Sequence, residues 1–364
     1  MFKKDKQAHP FYFAKSHNVI WYWLYKKKNM KRIGILGAGT WGTALANLLV
    51  SVGHQVILWS KFEEEIKDLK GTHTHKNLPG VSIGEEIIFT CDLKEAVVNQ
   101  DVVVIATPSI FVRETATLIK DYLNDKQIIV TVAKGVEKGT LMTTSEIIHD
   151  VLKEKDLPVV ALSGPTHAEE VAIGLPTLIV SACEDLKAAE EIQDVFYSSK
   201  CLRVYTNQDI KGVELCGALK NIIAIAAGMS DGLGFGDNAK AALITRGLRE
   251  ITKIGLAMGA NINTFSGLTG IGDIVVTATS VHSRNHKAGY LLGQGYSLEE
   301  TLEKVGMVVE GLNSLEAAIE LEKKYGLNLP IIDTVSAIIS GKTSVKEAVP
   351  ALFGRSKKDE TSFI

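Results

Sequence analysis

The stretch KRIGILGAGTWGTALANLLVSV, Lys31 to Val52, decides how the chain folds. Lys31 to Leu36 is a short apolar strand pattern, GAGTWG follows at once, and Thr43 to Val52 carries apolar residues at helical spacing. Gly37, Gly39 and Gly42 therefore form G-x-G-x-x-G between a strand and a helix, the context in which this motif binds a dinucleotide. The first glycine permits a tight turn, the second lets a pyrophosphate approach the backbone, and the third lets helix and strand pack closely. The pyrophosphate then rests on the positive end of the helix.

Downstream, Gln55 to Trp59 (QVILW) reads as the second strand. An NAD-preferring site places an acid at its end, against the ribose 2′-hydroxyl. Ser60-Lys61 stand there instead, so NADP is expected alongside NAD, while Glu63 to Glu65 a little further on are able to restore a preference for NAD. Val102 to Ala106 and Ile128 to Val132 are continuous apolar runs of the kind that parallel strands covered on both faces make. A helical segment from Phe111 to Leu123 separates them. Val159 to Leu162 and Thr177 to Ser181 continue the alternation, which predicts a doubly wound sheet through about residue 206. The loops that carry chemistry in such a sheet follow the strands, here at Thr107-Pro108-Ser109, Ala133-Lys134-Gly135 and Ser163 to Thr166.

From about residue 211 the pattern is helical, with apolar spacing in Leu243 to Met258, Leu298 to Val305, Leu315 to Tyr325 and Thr334 to Ile339. The expected division is a nucleotide-binding α/β domain over 30–210, an all-α domain over 211–355 and a loose polar tail over 356–364. Val213 to Met229 reads as a helix buried on most sides, and it contains Lys220 beside Asn221. Cys216, Gly217, Ile223 and Ala224 flank that lysine one turn away and offer it no partner. A buried ammonium needs a partner from elsewhere or a shifted pKa, which makes it a functional candidate; the plain alternative is a helix-edge lysine reaching water. A membrane span is not expected, because the run is interrupted and shorter than the roughly 20 apolar residues required.

Lysine plus arginine (40) nearly cancel aspartate plus glutamate (42) in the 364 residues, so no overall field recruits nucleic acid or an acidic membrane. Any anion must be caught locally. Lys134 is a candidate for that, although a lone lysine is more often a surface residue. Asp273, after Leu268-Thr269-Gly270-Ile271-Gly272, reads either as a functional acid or as a helix N-cap. Ser283-Arg284-Asn285 offers a hydroxyl, a guanidinium and an amide in a row, which suits a phosphate monoester, or is an ordinary polar loop. The four cysteines form no CxxC or Cys/His cluster, which argues against a zinc site and fits a reducing, cytoplasmic setting. The first 29 residues, with FYF, WYW and lysine clusters, fit a secretory signal poorly. They read as a basic tail, an interfacial anchor, or an extension ahead of a natural start at Met30; the last fits best, because the strand pattern begins directly after Met30.

Together these segments resemble the NAD(P)-dependent glycerol-3-phosphate dehydrogenases of the bacterial type over roughly Lys31 to Glu360. The motifs that carry the resemblance are GAGTWGTALA, SGPTHAEEVAIGLPT, GVELCGALKNIIAIAAGMSDGLGFGDNAKAALITRGL, GLTGIGDIVVTATSVHSRN, GMVVEG and GRSKKDE. The resemblance implies a Rossmann-like domain followed by a helical one, no metal, a homodimer, and interconversion of dihydroxyacetone phosphate with sn-glycerol 3-phosphate for phospholipid synthesis. It implies Lys220 as the proton donor or acceptor, with Asn221 in support. Lys134, Gly164, Thr166, Asp273, Ser283, Arg284 and Asn285 are implied substrate contacts. Thr40, Trp41, Lys61, Ala168, Val308 and Glu310 are implied to join the glycine loop around NAD or NADP, with Lys134 and Arg284 serving both ligands. Asp273 is the expected charged partner of Lys220. The rival readings are a 6-phosphogluconate or β-hydroxy-acid type dehydrogenase, and a protein that senses NAD(H) without turnover.

Overall fold

The computed structural model describes residues 30–357 and 359–360, so the expectations for residues 1–29 lie outside the described residues. An eight-stranded sheet comes first, with β1 (Arg32–Leu36), β2 (Gln55–Trp59), β3 (Ile88–Thr90), β4 (Val102–Ile105), β5 (Ile128–Thr131), β6 (Val159–Ser163), β7 (Thr177–Ala182) and β8 (Leu202–Asn207). Its order is β3-β2-β1-β4-β5-β6-β7-β8. All neighbours are parallel except β6 and β7, so the sheet is mixed where the sequence pattern suggested uniform strands. Edge strands β3 and β8 were not separately legible. The first has only three residues, and the second alternates buried with exposed positions in place of a continuous apolar run.

The central strands bury both faces. Val102 and Val104 of β4 join one core with Ile33, Ile35 and Leu45, while Val103 and Ile105 join the opposite core with Leu36, Ile129 and Ile147. That two-sided burial is why these strands read as unbroken apolar runs. The chain moves outward from β1 through β2 to β3 and returns to β4 on the other side of β1. The strand order therefore reverses between β1 and β4, where a sheet of this type opens a crevice at its carboxyl ends.

From Ile210 onward the described chain is helical. The centre is the helix Ile210–Gly232, in which every residue from Gly212 to Ser230 is buried. At 23 residues it is longer than the sequence pattern indicated and apolar enough to cross a membrane, but its apolar window lies entirely inside the protein. Helices Gly236–Ala257, Asp273–Thr279, Arg284–Gly293, Glu310–Tyr325 and Pro330–Ile339 pack around it. Asp209 caps its start by accepting from the Gly212 N–H at 3.0 Å. Glu214, one turn in, accepts from Thr144 Oγ1 at 2.6 Å and from the Ser145 N–H at 2.7 Å, which fastens the central helix to the helix Thr144–Val151 beside the sheet. Burial pushes the Glu214 carboxyl above its usual range, and these donors partly offset that push.

Candidate active site

The glycine loop has the shape that a dinucleotide requires. Gly37 has φ 121°, and a β-carbon there would lie 2.9 Å from the Ala106 carbonyl at the end of β4. A β-carbon on Gly42 would lie 1.9 Å from Gly37 O, so neither position admits a side chain without movement. Gly39 faces open space instead. The helix Thr40–Ser51 begins at Gly39 with no side-chain cap and no acidic residue in its first turn. Its first N–H groups are therefore offered to an anion at the β1/β4 crevice, and the residues present fit a dinucleotide pyrophosphate. Thr40 accepts from Asn77 Nδ2 at 3.2 Å, and Trp41 packs against the sheet core.

At the end of β2, Ser60 Oγ donates to Glu65 Oε2 at 2.5 Å. The acid missing directly after the strand is supplied from the next helix, Glu63–Thr72. Lys61 Nζ lies over the rings of Phe62 and Phe111, at 5.4 and 5.2 Å from their centroids.

The second half of the site assembles on the central helix. Lys220 is 5% exposed and Asp273 1% exposed, so the ammonium does not reach water. Lys220 Nζ donates to one Asp273 oxygen and, at 2.7 Å, to Thr277 Oγ1. Lys134 Nζ donates to the other Asp273 oxygen at 2.8 Å and to the Gly164 carbonyl at 3.1 Å. Asp273 is thus not the N-cap that its position allowed. It is the first residue of the helix Asp273–Thr279, held inward by the π-helical turn Leu268–Gly272, and its carboxylate joins two lysines from different parts of the chain.

Burial lowers the Lys220 pKa to about 8; Asp273 opposes this and Lys134 reinforces it. Burial alone would raise the Asp273 carboxyl, but Lys134 and Lys220 outweigh it and hold that group below its usual value. An amine poised near neutrality, fixed in a dry site, is suited to give and take a proton.

Asn221 Oδ1 accepts from Asn285 Nδ2 at 3.0 Å, and Asn285 Oδ1 accepts from the Gly311 N–H at 2.9 Å. That chain of contacts draws in the start of the helix Glu310–Tyr325, with Glu310 as its first residue and Val308 exposed just before it. Asn221 Nδ2 is buried with no partner. Ser283 is not in a simple polar loop: its Oγ accepts from the His286 N–H at 3.2 Å and caps the helix that Arg284 opens. Arg284 is exposed and, among the described residues, makes no hydrogen bond or ion pair. Thr166 Oγ1 donates to the Gly164 carbonyl at 3.2 Å, and Ala168 begins the helix Ala168–Ala172.

Sequence reasoning missed Thr277, although it stands four residues after Asp273 on the same helical face. It also missed His167, whose Nε2 is buried without a partner, as is the Oγ of Ser163 in the strand-end loop already singled out. Burial first, and then the charge of Lys220, lowers the His167 pKa below its usual value. Among the described residues no group of three or more His, Cys, Asp or Glu side chains is placed to hold a metal.

A mostly parallel nucleotide-binding sheet with a glycine fingerprint, followed by a helical unit that buries a lysine and an aspartate, defines a two-part dinucleotide-dependent oxidoreductase. Comparison with known proteins narrows the class. Residues 32–189 match the N-terminal part, and residues 209–350 the C-terminal part, of the family described as NAD-dependent glycerol-3-phosphate dehydrogenase, and the chain belongs to that family. A Lactobacillus delbrueckii subsp. bulgaricus protein named glycerol-3-phosphate dehydrogenase [NAD(P)+] 2 is 52% identical over 335 residues, covering 91% of this chain and 99% of its own. An Agathobacter rectalis glycerol-3-phosphate dehydrogenase [NAD(P)+] is 49% identical over 92% of this chain and 98% of its own. The crystal structure of glycerol-3-phosphate dehydrogenase from Coxiella burnetii superposes with a TM-score of 0.85 at 35% identity, covering 90% of this chain and all of that one. The 6-phosphogluconate-type and non-catalytic readings give way to this family.

Proposed function

We propose that this chain interconverts dihydroxyacetone phosphate and sn-glycerol 3-phosphate with NAD(H) or NADP(H). The observation that carries the reading is the Lys134–Asp273–Lys220 cluster, in which Lys220 and Asp273 are buried, on the helix that also carries the unpartnered Asn221 Nδ2. Gly37, Gly39, Thr40, Trp41 and Gly42 would hold the pyrophosphate of the dinucleotide, whose nicotinamide would supply hydride to the ketone carbon or accept it from the carbinol carbon. Lys220 Nζ gives its proton to the substrate carbonyl oxygen and takes it back in the reverse direction. Asn221 Nδ2 donates to the same oxygen as negative charge develops there, and Lys134 adds a fixed positive charge nearby. Arg284, which has no protein partner, takes the phosphate as a planar fork. Asn285 fixes Asn221 through one amide hydrogen and keeps the other for the phosphate. Holding that remote group orients the reacting carbon.

We further propose the division into units 30–210 and 211–355, a cytoplasmic homodimer, and supply of glycerol phosphate to phospholipid synthesis. Family membership supports these assignments, and the passage from β8 to the central helix near residue 208 supports the division. Loss of NADH absorbance, followed with dihydroxyacetone phosphate and with unphosphorylated dihydroxyacetone, tests the substrate. Equal rates with the two ketones would overturn the phosphate assignment.

A further inference from the structure

A cavity of about 490 Å³ lies in the helical half, between the central helix, the helices Gly236–Ala257 and Pro330–Ile339, and the C-terminal segment. That volume falls in the range of small-molecule sites and far exceeds the voids left by ordinary packing. Its walls are mostly apolar, from Met229, Leu243, Val335 and Ile338. Ser230 lines it as well, 6% exposed, with Oγ making no hydrogen bond. On the central helix Ala226, Met229 and Ser230 line it, the nearest to Lys220 being Ala226, six residues or about 9 Å along the axis, and none of Lys134, Lys220 and Asp273 contributes to its walls, so the cavity is distinct from the lysine–aspartate cluster.

The charge around the cavity is uneven. Arg246, Arg249, Lys253 and Arg355 contribute to its lining, against Glu250 and Asp359. Glu250 is already engaged, accepting from the Ile331 and Ile332 N–H groups at 2.8 and 3.0 Å. The rim holds an anion from the chain itself: the Glu360 carboxylate pairs with Arg246, and the Glu360 carbonyl accepts from Arg249 Nη1 at 2.7 Å. Glu360 and its partner are exposed, so this contact is a weak one for another carboxylate to replace.

We propose that this cavity is a second ligand site, for an aliphatic carboxylate whose chain lies along the apolar walls and whose head replaces Glu360 on Arg246 and Arg249. The site does not depend on the dehydrogenase reading.

Isothermal titration calorimetry of the full chain tests the site, with decanoate below its micelle-forming concentration and with butanoate and decyltrimethylammonium as comparisons. Decanoate is expected to bind saturably at one per chain, with no saturable binding of the short carboxylate or the cation. Arg246→Glu should weaken decanoate about tenfold or more, and Glu360→Gln should tighten it by removing the competing carboxylate. The proposal fails if decanoate does not bind, if the cation binds as well, or if neither variant changes the affinity. It also fails if decanoate affinity drops as protein concentration rises, because the face would then be covered by a second copy of the chain.

Discussion

Asp273 closes on Lys134 and Lys220 together: one carboxylate oxygen lies 2.8 Å from Lys134 Nζ, and the other takes the Lys220 ammonium. The residues are 139 and 53 positions from Asp273, so the cluster also ties the strand-end loop of the sheet to the helical half. Replacing Asp273 by asparagine leaves the buried Lys220 ammonium and the partly buried Lys134 ammonium without their shared counter-charge. Breaking such a pair costs about 3–5 kcal/mol, which urea unfolding of Asp273→Asn should show. Burial and Lys134 would then act on Lys220 unopposed, so the pH at which reductive activity is lost should move downward. An unchanged pH profile would separate Asp273 from the proton chemistry.

The direction of the pH dependence follows from the same lysine. With a Lys220 pKa of about 8, the ammonium needed to reduce the ketone is present below that pH and lost above it. The free amine needed to oxidise the alcohol appears over the same interval. The kcat/KM for ketone reduction should therefore fall as pH rises through about 8, while that for alcohol oxidation rises. Initial rates in both directions between neutral and alkaline pH check the crossing.

Cofactor choice is predicted to depend on Glu65. Its contact with Ser60 brings a carboxylate to the end of β2, where it suits a ribose 2′-hydroxyl and repels a 2′-phosphate. Glu65→Gln should raise the NADPH to NADH ratio of kcat/KM about tenfold, equivalent to roughly 1.4 kcal/mol of removed repulsion. Steady-state kinetics with both dinucleotides decide it. A ratio that does not move would place the discrimination elsewhere, with Lys61 the next residue to vary.

Arg284 offers a contrast between two substrates. Loss of charged hydrogen bonds at about 1.5–3 kcal/mol each should lower kcat/KM for dihydroxyacetone phosphate by ten- to a hundredfold or more in Arg284→Ala. The unphosphorylated ketone should be affected far less. Equal losses for both ketones would assign Arg284 to the dinucleotide alone.

Much of this arrangement was legible in the chain because it depends on local pattern. The glycine spacing, the doubly buried strands and an ammonium in an apolar helix each leave a signature within a few residues. The reversal of β7 leaves none, because strand direction is set by connections and not by composition. Polar helices such as Arg284–Gly293 also lack the continuous apolar spacing that marks the central helix. The sharing of Asp273 was half visible. Sequence indicated that Lys220 needed an outside partner, but only the inward set of the π-helical turn shows that one carboxylate serves two lysines. The Asn221–Asn285–Gly311 chain was likewise hidden, since it joins three segments through single hydrogen bonds.

The proton role of Lys220 is tested most directly by Lys220→Met, measured as a single-turnover rate of dihydroxyacetone phosphate reduction beside NADH binding by fluorescence. The rate should fall by about 10²–10⁴, the usual worth of a positioned general acid, with NADH affinity unchanged. A fall of less than about tenfold, in a variant that still binds NADH, would contradict the assignment of Lys220 as the proton donor.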